Sequence, residues 1–221
     1  VSLADPAAPA EPQTVQSPRE VKTVRQDYSA ILGSQLFWII AVAMFLCLLQ
    51  TQLHSSQMNL MIIEQGMTKQ SAATVASIYA TGTIVGRILC GLALDHYSTR
   101  TTTFVSMIIP AFGFLILASN MDSFTAVALA MFLVGVSVGA ESDLICFLIA
   151  RFFKIEIYST TLGLLHCVTF LASAAGGVAV SYTLAQYDSF APFLWVLVGA
   201  ITLGSLLFLL MPRDGQIEKI G

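Results

Sequence analysis

Three ionisable side chains lie deep inside long apolar stretches: Arg87, Glu141 and Asp143. A guanidinium fork can hold a carboxylate through two parallel charge-assisted hydrogen bonds. A carboxylate beside it can neutralise it or carry a proton. Near the centre of a membrane helix each such charge costs roughly 2.5–3.5 kcal/mol on insertion scales, so each must face protein or water and have a partner. Arg87 stands eight residues before Asp95, and Asp143 eight before Arg151. At about 1.5 Å per residue both lie about 12 Å in from the same boundary. Equal depth lets Arg87 pair with Asp143 or with Glu141. The two acids are about 200° apart around a helix, so they do not meet the arginine in the same way. Two readings stand. The charges form a permanent ion pair that locks two helices, or they form a site in which Arg87 takes an anionic ligand and a carboxylate takes a proton.

Weaker candidates share these helices. Tyr79, Thr83 and Arg87 recur every four residues and make a polar stripe. His166 lies at the depth of Arg87, and Thr169, Ser173 and Gly177 continue a small and polar stripe from it. It serves as an interhelical hydrogen-bonding residue or as a ligand and proton group. Gln50, His54 and Gln57 share a helical face, either lining an aqueous cavity or forming an ordinary polar helix end. Gly82–Gly86 and Gly135–Gly139 are both GxxxG, a pattern for close helix packing. The second also reads as GxSxG, but a nucleophile elbow needs a strand-to-helix turn, and Ser137 falls inside an apolar helix. No HExxH or P-loop is present. Cys47, Cys90, Cys146 and Cys167 each sit in an apolar stretch without a CxxC pair and read as small packing residues. The sequence thus calls for no metal, no cofactor and no enzyme chemistry.

The elements that must position these groups are set by composition. Of 221 residues, 56% are hydrophobic and 10% charged, against roughly 25% charged in soluble domains. Eleven of the 23 charged residues lie in 1–27 or 213–221. The rest of the chain is broken into six nearly uncharged stretches, each about the 20 residues that span a bilayer core. This predicts an all-α integral membrane protein in contact with the lipid bilayer, with helices at 36–55, 71–93, 102–119, 124–150, 158–185 and 190–211. The first can run on to Ile63. Gly66 then breaks it, Thr68 caps the second helix, and Asp122-Ser123 and Asp188-Ser189 stand where the fourth and sixth want N-caps. Around this domain of residues 31–212 lie a polar segment, 1–30, ordering near Arg19–Tyr28, and a tail, 213–221. With the N-terminus inside, eight Lys and Arg fall on the cytoplasmic side and only Lys69 outside, so both termini are expected in the cytoplasm. The net charge of −3 excludes a nucleic-acid binder.

The stretch Gly91-Leu92-Ala93-Leu94-Asp95-His96-Tyr97-Ser98-Thr99-Arg100 resembles a loop motif of the major facilitator superfamily, roughly G-x-L-x-D-R-x-G-R-R, found between the second and third helices of each six-helix half. Gly91, Asp95 and Arg100 match, while His96, Ser98 and Thr99 depart from Arg, Gly and Arg. Gly86-Arg87-Ile88-Leu89-Cys90-Gly91 resembles organic-anion members, as does Gly139-Ala140-Glu141-Ser142-Asp143 with Arg151-Phe152-Phe153. In the monocarboxylate and oxalate/formate branches an arginine of the eighth helix, four residues before a glycine, contacts the substrate carboxylate. Arg87 and Gly91 match that spacing. The oxalate/formate branch adds a lysine in the eleventh helix, but 158–185 holds no Lys or Arg, only His166. A singly charged acid carried with a proton fits better than a dicarboxylate.

The resemblance implies the C-terminal half of a major-facilitator-type bundle in the plasma (inner) membrane. Residues 1–30 would be the central linker, and an N-terminal half on the same or a separate chain would complete the site. It implies secondary transport of a small organic anion by alternating access, with Arg87, Tyr79, Thr83 and His166 at the substrate. Glu141, Asp143 and His54 would carry the proton or pair charge, and Gly91, Asp95 and Arg100 would form a cytoplasmic gate. The alternative is a six-helix membrane interaction protein, or truncated half, that transports nothing.

Overall fold

The structure, a computed structural model, describes residues 24–119 and 123–212, with the backbone alone for 24–26. A short helix, α1 (Val24–Leu32), precedes α2 (Gln35–Leu48), whose sequence is apolar on every face. One π-turn, Leu53–Gln57, carries the same rod into α3 (Met58–Glu64). Then follow α4 (Lys69–His96), α5 (Thr99–Ala118), α6 (Phe124–Phe152), α7 (Tyr158–Tyr187) and α8 (Ala191–Phe208). Six rods are long and apolar enough to cross a membrane, the first running from Gln35 to Glu64. This is the predicted all-α, six-span architecture. The first span takes the extension past 55 that the sequence allowed, ending at Glu64, and α8 stops at Phe208 rather than 211.

Local chemistry explains the ends. Gly66 turns the chain with φ 79, a left-handed conformation suited to glycine. Thr68 accepts from Ser71 N at 3.1 Å and so caps α4. Ser98 does the same for α5 through Thr101 N at 3.4 Å. The α7–α8 junction departs from expectation. Asp188 ends α7 in the left-handed region (φ 50) rather than capping α8. That role goes to Glu64, whose two carboxylate oxygens each accept from Phe190 N at 3.1 Å, while Ser189 Oγ accepts from Ala191 N at 3.1 Å. Ser123 makes no side-chain cap to α6. Asp122, most of the 1–30 segment and the 213–221 tail lie outside the described residues.

The core forms two clusters. One gathers Ile40, Met44, Leu148, Phe152 and Phe208 near the end carrying Arg100 and Arg151. The other gathers Leu53, Met61, Phe114, Val134 and Phe193 near the end carrying Gly66. Burial is uneven among the spans. In the most apolar windows of α5 and α6, 50% of residues are buried; in those of α4 and α7, 22%. The helices that carry Arg87 and His166 therefore lie largely uncovered by the six-helix domain.

Candidate functional site

The most extensive helix contact joins α4 to α6, and four glycines make it. A Cβ on Gly82 or Gly86 would strike the carbonyls of Phe132 and Val136; one on Gly135 or Gly139 would strike those of Tyr79 and Thr83. The two GxxxG motifs therefore face each other, backbone against backbone, as small residues permit. Arg87 directly follows Gly86, and Glu141 and Asp143 follow Gly139, so the interlocked glycines bring the three charges to one level at the edge of the seam.

Asp143 is the acid that meets the arginine. Its Oδ2 is 3.4 Å from Arg87 Nε. Arg87 Nη2 donates to Ser142 Oγ at 2.9 Å, and Ser142 Oγ donates to Asp143 Oδ1 at 3.5 Å. The pair is open: the side chains are 59% and 43% exposed. Glu141, two residues away, does not join the pair. It lies within electrostatic range of Tyr79 and Cys47, and among the described residues it has no hydrogen bond or ion pair.

The polar stripe on α4 divides. Tyr79 is half-buried, its ring 5.8 Å from that of His54. Thr83 Oγ1 turns back to Tyr79 O at 3.2 Å. Only Arg87 reaches the open face. His54 Nδ1, beside Tyr79, and Gln50 Oε1 are buried without a hydrogen-bond partner among the described residues.

The expected Gln50–His54–Gln57 face is broken by the π-turn. A π-turn takes an extra residue and shifts the phase of the helix. Gln50 is buried, with 2% of its surface exposed, and does not line a cavity. Gln52 takes that position instead. It borders an open cavity of about 690 Å³ against α7, together with Gln57, Ser173, Gly177, Ser181 and Tyr182. Ser173 Oγ donates to Gln52 Oε1 at 3.3 Å. Reading the stripe as a regular α-helix hid Gln52; its only signal was the crowding of polar residues at 50–57.

His166 is exposed on α7 and hydrogen-bonds to none of the described residues. Gly91 has open space at its Cβ position. Asp95 is exposed in the last turn of α4. Ser98 holds the N-terminus of α5, and no ion pair joins Asp95 to Arg100 among the described residues. Ser137 is buried within α6. Cys47 and Cys90 are buried packing residues, whereas Cys146 and Cys167 are exposed, against the packing role expected of all four. Among the described residues no cluster of His, Cys, Asp and Glu could hold a metal ion.

Residues 29–219 match the family described as Major Facilitator Superfamily. No curated protein matches the chain.

Proposed function

From the premise that the chain belongs to the major facilitator superfamily of membrane transporters, we propose that it forms one wall of a cavity carrying a small organic anion, a carboxylate bound by Arg87. One observation carries this reading: the Arg87–Asp143 pair lies open on a face that the six helices leave uncovered. An arginine at that depth is too costly to leave against lipid, so this face meets water or a second protein half. A pair that served only to lock α4 to α6 would have little to add. The four glycines already hold those helices, and exposed ion pairs contribute roughly 0–1 kcal/mol.

In the proposed cycle the two acids divide the work. Asp143 neutralises Arg87 while the site is empty and yields it to the incoming carboxylate. Glu141, without a cation, takes the coupled proton, and His54 and Tyr79 lie beside its path. Tyr79 and Thr83 sit behind the arginine, and His166 faces the substrate from α7. Gly91, Asp95 and Arg100 serve the gate at the basic end, which the Lys and Arg asymmetry assigns to the cytoplasm, with both termini, in a plasma membrane. A second six-helix half closes the site, and the halves rock about it.

The test is carboxylate uptake into proteoliposomes containing the natural full-length protein. Arg87→Lys keeps the charge but loses the planar fork, so uptake should fall about 100-fold with folding intact. Normal uptake by this variant sinks the reading. Loss of folded protein together with uptake supports a helix-locking pair. Absence of uptake even in the unaltered protein supports the non-transporting alternative.

A further inference from the structure

The cavity between the π-turn and α7 is uncharged and of mixed polarity. Its polar atoms come from Gln52, Gln57, Ser173, Ser181 and Tyr182, set among alanine, glycine and valine, and no Asp, Glu, Lys, Arg or His lines it. Gln52 is held in one orientation, since Ser173 Oγ donates to its Oε1 at 3.3 Å and its Nε2 donates to Ser56 Oγ at 2.8 Å. An amide has two donors and two acceptor sites, so one N–H and one lone pair remain for a ligand. Gly177 admits the glutamine: a Cβ there would stand 3.2 Å from Gln52 Cγ.

Position along the helix adds a length. Ser173 is seven residues beyond His166, the α7 residue at the depth of Arg87. At 1.5 Å per residue that is about 10 Å. A ligand with its carboxylate on Arg87 reaches Gln52 and Ser173 only if several carbons extend from it. Its far end should then carry groups that donate and accept hydrogen bonds, because a purely aliphatic tail would pack on the valines but leave the free N–H and lone pair of Gln52 unmatched. A second carboxylate would meet no cation there.

We propose that this cavity is a hydroxyl-reading subsite, and that the transported anion is an extended, polyhydroxylated monocarboxylate. The proposal rests on the carboxylate reading of Arg87 and defines the other end of the substrate.

The experiment measures uptake of labelled gluconate, hexanoate, adipate and lactate by the natural full-length protein in proteoliposomes. Three of these acids share a six-carbon length and differ at the far end; lactate is short. Gluconate should lead hexanoate and adipate by at least about tenfold in kcat/KM, the worth of one or two hydrogen bonds. Gln52→Leu and Ser173→Ala should each lower the gluconate-to-hexanoate ratio about tenfold. Because the ratio is taken within one preparation, a reduced yield of folded variant does not affect it. Hexanoate, adipate or lactate carried as well as gluconate, or an unchanged ratio in both variants, overturns the subsite and leaves the carboxylate reading standing. If none of the four acids is carried, both fall.

Discussion

α4 meets α6 across four glycines, backbone to backbone, while α2 and the π-turn meet α7 across the Gln52–Ser173 hydrogen bond and one close glycine, Gly176 against Leu49. The first seam has no side chain free to give way. Its reward is position: the same glycines that interlock the helices set Arg87, Glu141 and Asp143 at one level. The second seam sets polar side chains among apolar ones, holds a cavity and contains a turn of irregular helix. A rigid pair suits charges whose mutual placement decides binding. A polar, partly open pair suits a surface that meets ligands. The contrast turns on backbone contact, not on apolar burial, because both seams are built from largely apolar helices.

The largest effect should come from forcing the rigid seam apart. Gly86→Leu drives a side chain into the Val136 carbonyl, where overpacking costs about 3 kcal/mol or more. Little monodisperse protein should survive size-exclusion chromatography in detergent. Normal recovery would mean that the α4–α6 contact is looser than described.

Next come the two acids at the edge of that seam. Glu141→Gln should remove the pH dependence of carboxylate uptake. Asp143→Asn should keep that dependence and alter the apparent affinity about threefold to tenfold, since it releases an arginine already half-exposed. The reverse pattern, read from uptake against pH, would exchange their roles.

A smaller effect belongs to the strap that ties the end of α3 to the start of α8. Glu64→Ala removes the carboxylate that accepts from Phe190 N and Ser189 Oγ, and should cost about 1 kcal/mol, seen as a melting shift of a few degrees. A melt identical to the unaltered protein's would show that Ser189 caps α8 alone. The smallest is Gly177→Ala in the polar seam. The added methyl stands 3.2 Å from Gln52 Cγ, which need give only slightly, so stability should change by less than about 0.5 kcal/mol. Gly139→Ala, pressed against the Thr83 carbonyl, should cost several times more. Equal melting shifts for the two would erase the distinction between the seams.

Much of this was legible in the chain itself because a bilayer limits what a sequence can do. Uncharged stretches of helical length fix the number of spans, and the Gly66-x-Thr68 signal marks where the second begins, whereas the third starts at Thr99 rather than the expected 102, and its Ser98 cap came only with the structure. The equal depth of Arg87 and Asp143 follows from residue rise alone. What misled was regularity. A straight α-helix through residues 50–57 places Gln50 on a cavity wall, but the π-turn buries it and turns Gln52 outward. At the α7–α8 junction Ser189 does accept from Ala191 N, as its place in the sequence suggested, but Asp188 does not cap, and the carboxylate there is that of Glu64, more than a hundred residues away, which no local pattern announces.

The sequence by itself determined the six spans, the depth of each buried charge and the glycine pairs able to meet, because these depend on rise per residue, hydropathy and the absence of a side chain. Tertiary structure alone decided which acid faces Arg87. Asp143 and Glu141 lie two residues apart on one helix and are equivalent by type and depth. They became different groups only when the glycine seam fixed the rotation of α6 against α4, giving Asp143 the guanidinium and leaving Glu141 without a cation among the described residues.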